Sequence, residues 1–357
     1  MEYVELGKTG LKISRLGFGG IPIQKIDAEG TRKLVLRMAE AGINYIDTAR
    51  GYTVSEAFLG EALQGVRDKF VLATKSMART KEAMAADIET SLKNLKTDYI
   101  DLYQVHNPGP AELDQILAEG GALEALMEAK KAGKIGHIGL TAHLEAVFER
   151  ALELPWVETI MFPYNIVENQ GEALMRRCTE KGIGFVCMKP LAGGAIEDGR
   201  LALRYILANP DVTVAIPGMA ELSEIDKNLE AAEDKSPISE DERSRMETVK
   251  KQLGTNFCRR CNYCAPCPQG VNISGTFLMA GYLERYGLAD WARERYASFP
   301  VKAGAAWSAG CARPAVRISF PSVRCLKTPW QSWASKERRS YAFRENDEIR
   351  QKTLRDP

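Results

Sequence analysis

The sequence predicts an α/β protein: a (β/α)8 TIM barrel with an N-terminal β-hairpin and a C-terminal cysteine-rich extension. Three observations carry that expectation. Eight short apolar runs alternate with amphipathic stretches up to about residue 232, four cysteines then crowd into a single segment, and the composition shifts between the two regions.

The runs that read as buried strands are Arg15–Gly20, Ile43–Ala49, Phe70–Lys75, Ile100–His106, His137–Ala142, Thr159–Asn165, Gly184–Leu191 and Val212–Gly218. Each is rich in Val, Ile, Leu or Phe and too short to be a helix. Between them, Asp27–Ala41 opens on a capping residue and stops at Gly42. Lys81–Leu95 puts Met84, Ile88, Ser91, Leu92 and Leu95 on one stripe. Leu123–Lys131 ends at Gly133, and Asp198–Ala208 closes at Pro210, which cannot continue a helix. Successive strand–helix units imply parallel pairing, and eight units close a barrel. Ahead of them, Tyr3–Leu6 and Leu11–Ser14 flank Gly-Lys-Thr-Gly, a hairpin placed to cap the barrel floor.

Composition narrows the class. The chain has 357 residues, 45% hydrophobic and 27% charged, the mix of a globular protein with a full core. A net charge of +1 gives no field that would favour nucleic acid or an anionic membrane. No apolar stretch has the length needed to span a bilayer, and Met1–Gly20 lacks the pattern of a signal peptide. Cysteines at metal-ligand spacing fit a reducing cytoplasm, whereas Cys178 and Cys187 sit in apolar segments and read as inert core.

The domain reading is a barrel over 1–232, a helical and cysteine-bearing extension over 233–302, and an atypical tail over 303–357. Glu233–Leu253 is charged and reads as one helix after Ser236-Pro237. Cys258, Cys261, Cys264 and Cys267 then precede Pro268, a ferredoxin-like spacing suited to a 4Fe-4S cluster. Zinc is the alternative, although zinc sites usually split their ligands into two pairs with a long spacer. The tail carries three of the five tryptophans, 12 Lys/Arg against 5 Asp/Glu from Lys302 onward, and no clear period. Codons compatible with 304–317, read one base out of register, can spell Cys-Leu-Glu-Cys-Gly-Leu-Cys-Glu-Thr-Arg-Cys-Pro. The expectation is therefore a reading frame that slips near Ala303, with a disordered tail, which resequencing the gene decides.

In a (β/α)8 barrel the chemistry sits at the C-terminal ends of the strands. Those ends carry Asp47 and then Tyr52 after strand two, Lys75 on strand three and His106 on strand four. Each alone has a bland explanation: a turn cap, a snorkelling lysine, a core histidine. Together they resemble the aldo-keto reductase superfamily, through Asn-Tyr-Ile-Asp47-Thr-Ala-Arg-Gly-Tyr52, Leu-Ala-Thr-Lys75, Gln-Val-His106-Asn and Ala-Ile-Pro-Gly218. The resemblance covers residues 1 to about 232, and it implies that Asp47, Tyr52, Lys75 and His106 are the catalytic tetrad. A subgroup with a 4Fe-4S ferredoxin-type extension is similar through Cys267-Pro268-Gln269-Gly270-Val271-Asn272-Ile273, and typically carries a second four-cysteine run that this chain lacks.

The chemistry agrees with those roles. Reducing a carbonyl needs a hydride and a proton for the developing alkoxide. A phenol with a pKa near ~10 is a reluctant donor until a cation beside it favours the phenolate, the task of Lys75. Asp47 would hold that cation, and His106 would polarise the carbonyl. The resemblance further implies an NAD(P)H site built from Gly19, Thr141, Asn165, Pro190, Leu191, Gly193, Ile216, Gly218 and Asn228. Met161 replaces a glutamine common on strand six, and the aromatic that often stacks on nicotinamide is absent near Met188. NADP-specific members carry a basic residue after the Ile-Pro pair and an arginine six positions on. Here those positions are Gly218 and Glu224, and a carboxylate repels a 2′-phosphate. NADH is thus expected to serve at least as well as NADPH.

The leading expectation is a cytoplasmic NAD(P)H-dependent reductase of a small carbonyl substrate, with an iron–sulfur cluster that is either a structural staple or a route to an electron-transfer partner protein. The alternative is a non-catalytic redox-sensing or electron-transfer subunit that keeps the barrel as a scaffold.

Overall fold

The structure, a computed structural model, describes residues 1–253, 258, 267, 269–284 and 286–303. The chain divides into two compact units, Met1–Lys251 and Gln252–Pro357.

The first unit opens on β1 (Tyr3–Glu5) and β2 (Lys12–Ser14), which pair antiparallel. Then follow β3 (Phe18–Gly19), α1 (Ala28–Ala41), β4 (Tyr45–Asp47), α2 (Ser55–Ala62), β5 (Val71–Ser76), α3 (Lys81–Leu95) and β6 (Ile100–His106). The order continues with α4 (Pro110–Leu117), α5 (Ala122–Lys131), β7 (Ile135–Thr141), α6 (Glu145–Ala151), β8 (Thr159–Pro163), α7 (Glu172–Lys181) and β9 (Gly184–Met188). It ends with α8 (Gly199–Leu207), β10 (Val214–Ala215), α9 (Leu222–Glu233) and α10 (Glu240–Leu253). The second unit contributes α11 (Ile273–Glu284) and α12 (Ala289–Ala297).

β3 to β10 form one parallel sheet in chain order, and single parallel bridges Leu16↔Ala215 and Gly19↔Gly218 close it on itself. Hydrogen bonds from Gly17 N to Ala215 O (2.8 Å) and Gly19 N to Pro217 O (2.9 Å) complete the seam. The first and last strands are much shorter than the apolar runs that encode them. Pro217 has no N–H to give a ladder, so pairing there falls back on isolated bridges. Gly19 matters at the seam, since a Cβ there would stand 2.9 Å from the Ile216 carbonyl oxygen.

Local signals act as read. Asp27 caps α1 by accepting from Gly30 N (2.7 Å), and Gly42 ends it in the left-handed conformation. The buried residues of α3 are Met84, Ile88, Ser91, Leu92 and Leu95. Leu6 and Ile13 of the hairpin are fully buried in one cluster with Tyr45, Ala73, Leu102, Met161, Val186 and Val214, which fill the barrel interior. The hairpin therefore plugs the floor, leaving the opposite end for chemistry.

Composition breaks after residue 232, but compactness breaks after Lys251. The reason is Arg204 on α8. Almost fully buried, it donates to Asp234 O (2.8 Å), Ser236 O (2.8 Å) and Glu242 Oε1 (3.0 Å) and ties the connection to the barrel. The helix expected after Ser236-Pro237 runs from Glu240 to Leu253. Ser239 N donates to Glu242 Oε2 (2.8 Å) and Ser239 Oγ accepts from Glu242 N (3.2 Å), a reciprocal cap that fixes the start. Cys178 and Cys187 are buried, and burial pushes the Cys178 thiol up to about 12 and Cys187 higher still. Among the described residues no helix is long and apolar enough to cross a membrane.

Candidate active site

Side chains alternate faces along a strand, so Asp47 follows Tyr45 into the lumen on β4, Lys75 follows Ala73 on β5, and His106 follows Leu102 and Gln104 on β6. Tyr52 sits past the end of β4 in a tight turn. Tyr52 N donates to Ala49 O (3.0 Å) and Ser55 N to Tyr52 O (2.8 Å). Ser55 Oγ pairs with Thr48 Oγ1 (2.8 Å) and donates to Gly20 O (3.0 Å), which anchors the loop to β3.

The structure brings all four residues together. Lys75 Nζ donates to Asp47 Oδ1 in a close ion pair and to Thr48 O at 2.8 Å, with both side chains almost fully buried. The same ammonium lies 4.8 Å from the centroid of the Tyr52 ring. The Tyr52 and His106 rings meet edge to face, 6.2 Å apart at 88°. Burial pushes the Asp47 carboxyl up, opposed by the Lys75 charge and by hydrogen bonds from Lys75 and Gln104. Burial likewise pushes the Lys75 ammonium down, and Asp47 opposes it. His106 is held well below the ordinary imidazole value by burial first, then by the charges of Lys75 and Arg79. It is therefore neutral at physiological pH, and its Nδ1 has no hydrogen-bond partner.

Two residues belong to this centre although the sequence did not single them out. Gln104 Nε2 donates to Asp47 Oδ2 at 2.9 Å. Glu56, 1% exposed on α2, accepts from Arg50 Nη1, Thr74 Oγ1 and Ser91 Oγ, each at 2.8 Å. That network packs behind Lys75 and holds the strand that carries it. For Gln104 the available signal was parity, since it precedes His106 by two on one strand; Glu56, in the first turn of α2, offered none.

The remaining cofactor candidates, Asn228 on α9 excepted, lie at or just past the C-terminal ends of strands. Gly19 and Gly218 face each other across the seam, with Ile216 just before. Thr141 ends β7 opposite His106, and its hydroxyl accepts from Asn107 N at 2.9 Å. Pro190, Leu191 and Gly193 lie in the turn after β9, where Lys189, Ala192, Gly193 and Gly194 all have positive φ. Asn165 is fully buried. Its Nδ2 donates to Glu168 Oε2 and Lys189 O (both 3.0 Å), and its Oδ1 accepts from Val167 N and Glu168 N. Asn228 lies half-buried on α9. Glu224 closes the N-terminus of that helix by accepting from Ala220 N (2.6 Å) and Glu221 N (3.0 Å). His143 Nδ1 meets Asn107 Oδ1 at 2.7 Å, whereas the buried Tyr164 hydroxyl donates to Glu172 Oε1 (2.7 Å) and is packing. Cys258 and Cys267 are half-buried, and Cys261 and Cys264 lie outside the described residues, as does the tail 304–357.

A closed parallel barrel that gathers an acid, a phenol, a buried cation and a neutral imidazole at the C-terminal strand ends has them where barrel enzymes carry their chemistry. Comparison with known proteins makes the family explicit. Residues 15–200 match the model of the Aldo/keto reductase family, and the chain belongs to it. It is 28% identical over 302 residues to L-galactose dehydrogenase of Arabidopsis thaliana, covering 69% of this chain and 93% of that protein. It is 31% identical over 223 residues to aldo-keto reductase YhdN of Bacillus subtilis, covering 56% of this chain and 66% of that one. Among solved structures, the holo form of aldo-keto reductase AKR11C1 from Bacillus halodurans superposes with a TM-score of 0.62 at 28% identity. That superposition covers 70% of this chain and 96% of the other.

Proposed function

We propose that the protein reduces a small aldehyde or ketone to the alcohol with a reduced nicotinamide dinucleotide, Tyr52 acting as general acid. The observation that carries this reading is the buried Asp47–Lys75 pair set against the Tyr52 ring with His106 at its edge. An ammonium there favours the phenolate, so the phenol gives up its proton as the alkoxide develops. Asp47 keeps the ammonium in place. His106, being neutral, can donate an N–H to the carbonyl oxygen without adding a second cation to the site.

The rim suits the dinucleotide. His106 Nδ1 is buried without a partner, and the turn after β9 passes through Gly193 and Gly194, which put no side chain in the way of a ligand. Gly19, Pro190, Leu191, Gly193, Ile216, Gly218 and Asn228 would hold the dinucleotide, with Thr141 and Asn165 beside its carboxamide. Bound there, it supplies the hydride. Asn165 would have to share hydrogen bonds it already makes within its own turn.

Coenzyme choice turns on Glu224. Its carboxylate caps α9 where a 2′-phosphate would need a cation. NADH is expected to give a kcat/KM at least equal to that of NADPH. Glu224→Gln, which keeps an acceptor for the cap but removes the charge, is expected to lower KM for NADPH several-fold and leave NADH unchanged. Steady-state kinetics with both coenzymes check this, and a wild-type preference for NADPH would contradict it.

The reading extends to the cysteine run. Four thiolates at Cys258, Cys261, Cys264 and Cys267 are the donor set of an iron–sulfur cluster, which would supply electron transfer or a staple to the second unit. Metal and sulfide analysis of anaerobically purified protein distinguishes it from zinc.

A further inference from the structure

Gln104 is fully buried on β6, two residues before His106, and shares its lumenal face. The sheet register sets it opposite Lys75. Its Nε2 donates to Asp47 Oδ2 at 2.9 Å, while Lys75 takes the other oxygen, Oδ1. Its own carbonyl oxygen is buried without a hydrogen-bond partner. Around it the lumen is lined by Tyr45, Ala73, Leu102 and Met161. An aliphatic side chain would fill that space without stranding a carbonyl, which costs stability. The amide's contribution is its bond to Asp47. A carboxylate torsion is broad and soft, so one contact to Lys75 does not fix it, but two contacts on opposite oxygens do.

We propose that Gln104 is a positioning residue for the reaction: by holding one oxygen of Asp47 it keeps the other on Lys75, and so keeps the ammonium against the Tyr52 ring. This rests on the carbonyl-reductase reading above. The groups that face the pair are Lys75 from β5, Tyr45 from β4, His106 from β6 and Tyr52 from the loop after β4. Glu56 and Arg79 act on Lys75 and His106 from further away. Taking away the amide donor removes one of the contacts that favour the Asp47 carboxylate, so the carboxyl takes up its proton at higher pH.

Full-length Gln104→Leu and Gln104→Glu test the proposal by pH-dependent kinetics and by a crystal structure of each. Gln104→Leu is expected to lower kcat about tenfold or more, leave KM for NADH within about twofold, move the acidic limb of kcat to higher pH, and show Asp47 turned off Lys75. Gln104→Glu is expected to behave in the opposite sense with pH. As a protonated acid it donates the same bond and keeps activity at low pH, and it loses activity as that proton leaves and two carboxylates share the site. Unchanged kcat and pH profile in both variants would overturn the proposal. So would a pH-independent loss in both with Asp47 still seated on Lys75. If the wild type reduces no carbonyl, the functional reading fails. The Gln104→Leu crystal structure then still decides the positioning role, and an unmoved Asp47 overturns it.

Discussion

Lys75→Met is expected to abolish measurable turnover and to destabilise the fold by about 3–5 kcal/mol, the range found when one partner of a buried ion pair is removed. Asp47 and Lys75 are both almost fully buried, and apart from Lys75 the Asp47 carboxylate is held by Gln104. Without the ammonium, a charge is left in the lumen beside Tyr45, Ala73 and Leu102. The cost depends on pH. Burial raises the Asp47 carboxyl above its unfolded value, so the penalty grows as pH rises past the ordinary carboxylate range and shrinks on acidification. Adding Asp47→Asn to Lys75→Met removes the stranded charge and is expected to recover most of the stability and none of the activity. Denaturant unfolding of the two single variants and the double variant, at two pH values, measures the coupling. Additive effects would mean that the pair does not act as a unit.

Tyr52→Phe is expected to lower kcat by about 10²–10⁴, the usual contribution of a positioned general acid, with KM for the dinucleotide little changed. The ring keeps its contact with His106 and its place against Lys75, so the fold and the shape of the site survive. Only the transferable proton is lost. A loss confined to KM would make Tyr52 a binding residue. Full activity would move the proton source elsewhere.

Most of the barrel, and the convergence of Asp47, Tyr52, Lys75 and His106 on one end of it, could be read from residues because strand ends announce themselves. A run such as Ile100–His106 carries apolar Ile100, Leu102, Tyr103 and Val105 and closes on a titratable residue, and the observed β6 has the same limits. The stripe on α3 and the caps at Asp27 and Gly42 were equally legible, since they depend on neighbours in sequence. The seam was not. Whether Leu16 meets Ala215 depends on closure of the whole sheet, and Pro217 shortens the ladder that apolar content alone would extend. Gln104 and Glu56 were missed for a related reason. A polar residue inside a buried run reads as a defect until the partner that needs it, 57 residues away for Gln104 and Asp47, is brought alongside. Arg204 belongs to the same class: its carbonyl and carboxylate partners 30 to 38 residues on explain why the compact unit reaches Lys251. Tyr164, by contrast, lies near the site in sequence terms yet spends its hydroxyl on Glu172.

The chemistry is tested most directly by following deuterium from C4-labelled reduced nicotinamide into product alcohol, by mass spectrometry under single-turnover conditions, for the wild type and Tyr52→Phe. The expected result is label on the former carbonyl carbon with the wild-type protein, and transfer slower by about a hundredfold or more in the variant. Equal rates in the two proteins, or no label from any aldehyde or ketone in a broad panel, would contradict proton delivery by Tyr52 at this site.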